Sequence, residues 1–173
     1  MKRRISVLIA LAVAVVAAAV AQADTGPPWG PETPNFNVEV ILRPSSDGGS
    51  GFGHVKFRQP NDEARIIYLD TWVRDLQPNR DYLLQRQVDG VPDGDCSDSP
   101  STWLTLGEGF TVTPITTDDR GTGRAALFRD LDPPGPMTGP PPGAAFDIHF
   151  RVVDAGTLAP VLESGCYQFT VSL

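Results

Sequence analysis

Residues 145–153 read AFDIHFRVV, and this stretch decides the fold class because apolar and polar side chains alternate along it. The apolar side of the alternation consists of Phe146, Ile148, Phe150 and Val152. The polar side consists of Asp147, His149 and Arg151. A period of two residues is the signature of a half-buried β-strand, so the stretch predicts a strand with one face on a core and a polar opposite face.

Short runs of the same kind follow one another along the chain. They cover residues 36–43, 54–58, 64–74, 81–88, 102–106, 110–116, 124–130, 145–153 and 166–172. No window after the first 23 residues shows a sustained apolar period of 3.6, which a surface helix would need. Turn-forming residues separate the runs, as at 117–123, where two glycines allow positive φ. The pattern predicts an all-β protein, an antiparallel Greek-key β-sandwich of about eight strands.

Residues 76–82, LQPNRDY, match the Leu-x-Pro-x-x-x-Tyr pattern that is common in fibronectin type III domains. In these immunoglobulin-like sandwiches the pattern resembles the tyrosine corner. The resemblance implies that Leu76 fills the core and that the Tyr82 hydroxyl bonds to nearby backbone. About three predicted strands precede the motif here, whereas five precede it in a fibronectin module. We therefore expect a sandwich with a different strand order.

The first 23 residues have the pattern of an export signal. Three basic residues at 2–4 precede an apolar run at 5–20, and the Ala-Gln-Ala at 21–23 suits signal peptidase. An uncleaved membrane anchor is the alternative, since the apolar run is nearly long enough to span a bilayer. The cleavage site favours a signal-peptide helix at 1–23, a secreted or periplasmic protein, and no stable membrane insertion after cleavage.

The rest of the chain divides into a lead-in and a single domain. Residues 24–35 are rich in proline and glycine and predict an extended segment. Residues 36–173 predict one β-sandwich domain. Within it, residues 132–145 (DPPGPMTGPPPGAA) cannot join a sheet and predict an exposed loop. This loop either binds a partner as a polyproline segment or connects one part of the sheet structure to another.

The charge balance excludes some partners. The whole chain has 14 Lys and Arg against 21 Asp and Glu, a net charge of −7, and signal cleavage removes three of the basic residues. Nucleic acids and anionic membrane surfaces both require a basic face, so neither is an expected partner. Acidity of this kind keeps an exported protein soluble.

Two cysteines, Cys96 and Cys166, predict a structural disulfide in an oxidising compartment. Such a bridge closes a loop of about 70 residues and stabilises the fold by roughly 4 kcal/mol in the chain-entropy model. A redox pair and a metal site are the alternatives. A Cys-x-x-Cys spacing is absent, and only His54 and His149 provide imidazoles.

Catalytic motifs are largely missing. Neither Gly-x-Ser-x-Gly nor Ser-x-x-Lys occurs. His149 shares the polar side of its strand with Asp147 and Arg151, an arrangement in which a carboxylate orients an imidazole for catalysis. An alternating polar face produces the same arrangement by default. The leading hypothesis is therefore a non-enzymatic protein, and a hydrolase with a dispersed carboxylate and histidine site is the alternative.

Two clusters are candidate binding sites. Asp93, Asp95 and Ser97 alternate like the first ligands of a calcium loop, and Asp93, Asp95 and Asp98 are the candidate metal-binding carboxylates. The motif does not continue, because Asp98 stands where it needs glycine and Leu104 where it needs glutamate, and a solvated acidic turn is the alternative. Tyr68 and Trp72 lie four apart on one predicted strand face, where an exposed strip stacks sugars or receives a protein. Buried packing of these rings is the alternative.

Together these features predict an exported binding or structural protein of the envelope or secreted fraction. The expected partner is a protein or a glycan of unknown identity. No cofactor is expected, and a calcium-stabilised module is a further alternative.

Overall fold

The computed structural model describes residues 37–46, 49–60, 62–97, 102–133 and 139–172. Throughout these residues the regular structure is β-strand, and no helix occurs in them. This confirms the all-β class that the alternating sequence predicts.

Three predictions about the division of the chain are not tested by the described residues. The signal-peptide helix at 1–23 and the lead-in at 24–35 lie outside the described residues. The assignment of 36–173 to one domain stays a prediction.

The strands are numbered in chain order. They are β1 (Asn37–Pro44), β2 (Phe52–Arg58), β3 (Ile66–Arg74), β4 (Asp81–Asp89), β5 (Leu104–Thr105), β6 (Gly107–Glu108), β7 (Thr111–Val112), β8 (Ile115–Thr116), β9 (Gly123–Asp130), β10 (Ala145–Asp154), β11 (Pro160–Ser164) and β12 (Tyr167–Thr170). The predicted count of about eight is not confirmed, because the run at 110–116 divides into two short strands and β11 was not predicted.

All of these strands belong to one hydrogen-bonded sheet. Its order is β5-β4-β10-β11-β1-β2-β3-β9-β6-β7, with β12 paired to β10 and β8 paired to β4. Ile115 of β8 pairs with Tyr82 at the start of β4, and the adjacent Thr117 pairs with Gly123 at the start of β9. The sheet therefore nearly closes into a barrel, and the predicted Greek-key order is not confirmed.

The inward faces of the long strands form the core. Alternation along β1 and β2 directs Val38, Val40, Leu42, Val55 and Phe57 inward, where each is nearly inaccessible to water. The Phe57 ring meets the rings of Phe150 and Phe169 edge-on, with centroids 5.9 and 4.5 Å apart. Apolar burial and aromatic packing therefore hold opposite walls of the sheet together.

The starts of β4 and β9 form one end of the barrel, which we call the corner end. Here Tyr82 is 2% exposed, and its hydroxyl accepts a hydrogen bond from the Gln77 N–H at 3.1 Å. Leu76 packs against the core beside it. The local geometry expected of a tyrosine corner is present, whereas the resemblance to fibronectin and immunoglobulin domains is not confirmed as a whole.

The turn at 117–123 closes the corner end. The Asp118 carboxylate accepts hydrogen bonds from the N–H groups of Arg120 and Thr122 at 2.9 and 2.8 Å, and these bonds lower the pKa of Asp118. Gly121 has φ +74°, and a Cβ there would lie 2.1 Å from the Leu76 carbonyl oxygen. Only glycine allows this close approach without strain, so the turn chemistry predicted from the sequence is present.

The disulfide between Cys96 and Cys166 is confirmed, with the two Cα atoms 5.6 Å apart. It ties the segment after β4 to the start of β12, and the Gln168 side-chain amide bonds to the Pro92 carbonyl at 2.8 Å. The tethered segment lies over Asp147 of β10, whose carboxylate accepts a 2.5 Å hydrogen bond from the Gly94 N–H.

Asp147 belongs to the polar side of the alternation in residues 145–153. Its side chain lies on the outer face of β10, as the alternation requires, but the residue is completely buried. The segment that the disulfide holds in place excludes water from it. Burial raises the pKa of Asp147, and the hydrogen bond from Gly94 partly opposes this rise.

Candidate functional site

A cavity of about 440 Å³ opens at the end of the barrel opposite the corner end. We call this the cavity end. The lining consists of Phe57, Ile67, Leu69, Arg86, Val88, Gly90, Leu106, Arg129, Asp130, Leu131, Pro133, Gly139, Pro140, Ala144, Ala145, Phe146 and Ile148. Concave, mostly apolar sites of about 300–1,000 Å³ are typical binding sites for small molecules.

The apolar walls come from strand alternation at this end of the barrel. Ile67 and Leu69 on β3 are directed inward, and Ile148 on β10 is only 2% exposed. Val88, at the end of β4, packs against the same core. These side chains surround a space that the core does not fill.

The described ends of the proline-rich loop border the mouth of the cavity. The Arg65 guanidinium donates to the Asp132 carboxylate and to the Pro140 carbonyl, both at 2.6 Å. The Gly139 N–H donates to the Leu131 carbonyl at 2.6 Å. These bonds hold both ends of the loop against the barrel. Residues 134–138, in the middle of the predicted loop, lie outside the described residues.

Arg86 occupies an inward-facing position of β4. Tyr82 and Leu84 precede it and Val88 follows it at the same period, and all three pack in or against the core. Arg86 pairs in register with Phe150 of β10, which is fully buried. The arginine side chain is therefore half-buried in an otherwise apolar row.

Arg129 occupies the corresponding inward position of β9. Leu127 before it and Leu131 after it are both buried in the core. The Arg129 guanidinium carbon lies 3.8 Å from the centre of the Phe110 ring, and one of its nitrogens donates to the Gly109 carbonyl at 3.4 Å. The turn between β6 and β7 thus holds this side chain in place.

The two arginines repel each other in a setting that is partly shielded from water. Burial lowers the pKa of Arg86, and the positive charge of Arg129 lowers it further. Burial also lowers the pKa of Arg129, while the nearby Asp130 carboxylate opposes this change. Among the described residues neither guanidinium forms an ion pair. Two like charges on an apolar wall without a carboxylate partner are costly to the fold.

Sequence reasoning did not single out Arg86 or Arg129. The sequence of both strands nevertheless indicates these residues, because each arginine lies on the apolar side of its strand's alternation and not on the polar side. A charged residue on the apolar side of an alternating strand departs from the pattern of a half-buried sheet. The sequence alone does not show that the two positions meet in one cavity.

The predicted aromatic strip lies on the outer face of the barrel. Tyr68 is 37% exposed, and Trp72 is half-buried with its indole N–H buried and without a hydrogen-bond partner. Arg58 lies 6.0 Å from the Tyr68 ring centre and Arg74 lies 5.9 Å from that of Trp72. Arginine side chains thus flank both rings, and a ligand role for the strip stays a prediction.

The predicted calcium cluster is described only in part. The Asp93 carboxylate accepts a hydrogen bond from the Asp95 N–H, and the Asp95 carboxylate accepts one from the Ser97 N–H. Asp98 lies outside the described residues. Over the described residues, no group of three histidine, cysteine or carboxylate side chains is placed to hold a metal ion. The calcium hypothesis stays untested.

Both histidines lie on the outer faces of their strands. His149 bonds to the Gln87 side chain at 2.7 Å and stacks on Trp103 at 4.6 Å. Its pKa is lowered by burial and then by the charge of Arg151. His54 bonds to Glu39, an exposed carboxylate. The two imidazoles therefore lie away from the lining of the cavity.

Comparisons with known proteins give little guidance. The chain is similar to chicken MD-1 in a crystal structure of its complex with lipid IVa, with a TM-score of 0.37 and 12% identity over 75% of this chain and 96% of that one. At that TM-score the likeness carries no argument about function. No protein-family model matches the chain. No curated protein matches it. In the described portion, no helix is long and apolar enough to cross a membrane.

Proposed function

We propose that this protein is a non-enzymatic binding protein that holds a small apolar ligand in the cavity at the cavity end. The observation that carries the proposal is the space of about 440 Å³ enclosed by inward-facing apolar residues of β3, β4 and β10. Close packing is the rule in protein interiors, so a large open space among core side chains costs stability. A ligand that fills the space recovers this cost.

Export is part of the proposal. The signal pattern at 1–23 supports it, and the disulfide between Cys96 and Cys166 fits an oxidising compartment. The two loop ends at the mouth also support a binding role, because Arg65 bonds to both of them. A binding site that is formed before the ligand arrives loses little entropy on binding.

The test uses a neutral fluorescent probe, N-phenyl-1-naphthylamine, with 1-decanol as the competitor. We expect the purified oxidised protein to bind the probe and decanol to displace it. Ala144→Phe places a large ring at the cavity wall and is expected to remove probe binding. Ala159→Phe makes the same change at an exposed position at the corner end and is expected to leave binding unchanged. Equal binding by both variants would overturn the proposal.

A second candidate function is protein or glycan binding at the outer strip of Tyr68 and Trp72. The exposure of Tyr68 and the unpartnered indole N–H of Trp72 favour it. The test is capture of glycans or proteins from the native envelope and secreted fraction by the immobilised protein. Loss of a captured molecule in Tyr68→Ala, but not in the control Leu158→Ala at another exposed apolar residue, would support this function. Equal capture by both variants would remove it.

A further inference from the structure

The cavity has a feature that an apolar ligand alone does not require. Arg86 and Arg129 both line it, on different strands, and no described carboxylate forms an ion pair with either guanidinium. Apolar side chains at these two positions would fit the surrounding wall without the cost of half-buried charge. The arginines therefore indicate a requirement for positive charge at this place.

We infer that the ligand is an amphiphile with a carboxylate or phosphate group at one end of an apolar chain, and that Arg86 and Arg129 bind this anionic group. The inference rests on the proposed function, since it names the class of ligand for the same cavity. The anionic group supplies the partner that the two guanidinium groups lack. The apolar chain occupies the space beside Ile67, Leu69 and Ile148.

The chemistry of arginine suits this role. A guanidinium group presents its N–H donors in a planar fork that matches the oxygens of a carboxylate or a phosphate. Arg129 is held by the Phe110 ring and the Gly109 carbonyl, so its orientation is fixed in advance. Arg86 lines the same cavity, and no described residue accepts a hydrogen bond from its side chain.

The positive charge that would attract an anion is confined to the cavity. The chain as a whole carries a net charge of −7, so its surface does not attract anions in general. Asp130 also lines the cavity, where its carboxylate accepts a hydrogen bond from the Asp132 N–H at 2.8 Å and offsets part of the charge of Arg129 without forming an ion pair with it. An anion bound between the two arginines cancels their mutual repulsion, which a neutral ligand leaves in place.

The experiment compares four competitors in the probe-displacement assay: decanoate, decyl phosphate, 1-decanol and inorganic phosphate. We expect the two anionic amphiphiles to bind about tenfold more tightly than decanol, and inorganic phosphate alone to displace nothing. Arg86→Gln is expected to weaken decanoate about tenfold and to leave decanol unchanged. Arg86→Lys is expected to restore most of the decanoate affinity.

The matched control is Arg124→Gln, which removes the same charge from an exposed position on β9, the strand of Arg129. It is expected to bind decanoate like the parent. Equal affinities for decanol and decanoate, unchanged in Arg86→Gln, would overturn the anionic ligand and leave the apolar function standing. Binding of none of the amphiphiles would overturn the proposed function itself. Displacement by inorganic phosphate at the concentration of decyl phosphate would overturn the requirement for an apolar chain.

Discussion

At the corner end of the barrel the tyrosine corner and the turn beside it are closed by their own hydrogen bonds, whereas at the cavity end a half-buried arginine and a buried carboxylate oxygen lack partners among the described residues. The Tyr82 hydroxyl bonds to the Gln77 N–H, and the turn around Asp118 is closed by its own hydrogen bonds. At the cavity end, Arg86 has no ion-pair partner in the described part of the chain. One carboxylate oxygen of Asp147 is buried without a hydrogen bond.

The same strands build both ends. β4 carries Tyr82 near its start and Arg86 four residues later, and both are directed inward. β9 begins at Gly123, in contact with the corner turn, and carries Arg129 near its end. Backbone pairing alone therefore does not distinguish the two ends. The difference lies in the side chains, which close a turn by hydrogen bonds at one end and line a cavity with two arginines at the other.

The largest effect we expect concerns the covalent bond that holds the cavity end. Cys96→Ser is expected to lower the free energy of unfolding by about 4 kcal/mol, because the unfolded chain regains the freedom of a loop of about 70 residues. Urea unfolding of oxidised protein measures this. Reduction should destabilise the parent by the same amount and leave the variant unchanged. Equal stability of variant and oxidised parent would show that the cavity end does not depend on the disulfide.

Replacing one glycine at each end by alanine compares how tightly the backbone is packed at the two ends. Gly121→Ala at the corner end is expected to lower the free energy of unfolding by about 3 kcal/mol, since the new Cβ meets the Leu76 carbonyl in addition to the strain of positive φ. Gly143→Ala near the cavity end also has positive φ, +80°, but no atom lies within 4 Å of its new Cβ. It should cost only about 1 kcal/mol. Similar losses in urea unfolding would contradict a tighter corner end.

Substitutions at two inward positions of β4 are expected to change the free energy of unfolding in opposite directions. Tyr82→Phe removes a hydroxyl that accepts a backbone hydrogen bond, and it should lower the free energy of unfolding by about 1 kcal/mol. Arg86→Met keeps an unbranched side chain but removes a half-buried charge, and without ligand it should raise the free energy by about 1 kcal/mol. Urea unfolding measures both. A loss of stability in Arg86→Met would mean that the arginine is structural.

The smallest effect concerns the pH dependence caused by Asp147. Because burial raises its pKa above the ordinary value of 3.8, the folded protein keeps a proton in an interval where the unfolded chain has released it. The free energy of unfolding therefore falls as the pH rises through that interval. Asp147→Asn does not titrate, and its amide oxygen still accepts the bond from Gly94. The variant should lack this fall and be more stable than the parent at pH 7.

Urea unfolding at a series of pH values from about 3 to 7 compares this variant with Glu163→Gln, a carboxylate on the exposed face of β11. Parallel curves for the parent and Asp147→Asn would contradict a raised pKa.

Much of the fold could be predicted from local pattern. Alternation of the kind seen in 145–153 identifies the long strands, because side-chain direction in a strand depends only on the period of two. The turn at 117–123 and the corner at 76–82 were recognisable for the same reason, since each is determined by a few adjacent residues. The pairing of Cys96 with Cys166 followed from there being only two cysteines.

The candidate site could not be predicted in this way. The near closure of the sheet depends on pairings between strands far apart in sequence, such as β1 with β11, and β11 itself begins with a proline and is short. The volume of the cavity depends on how these walls meet. The burial of Asp147 depends on a segment that another strand holds in place through the disulfide. None of these follows from the local sequence.

The most direct test of the cavity end as an anion-binding site is a crystal structure of the protein grown with decanoate. The expected result is an apolar chain beside Ile67 and Ile148, with the carboxylate within hydrogen-bond distance of Arg86 and Arg129. Decanoate bound elsewhere, or in the cavity with its carboxylate turned away from both arginines, would contradict it.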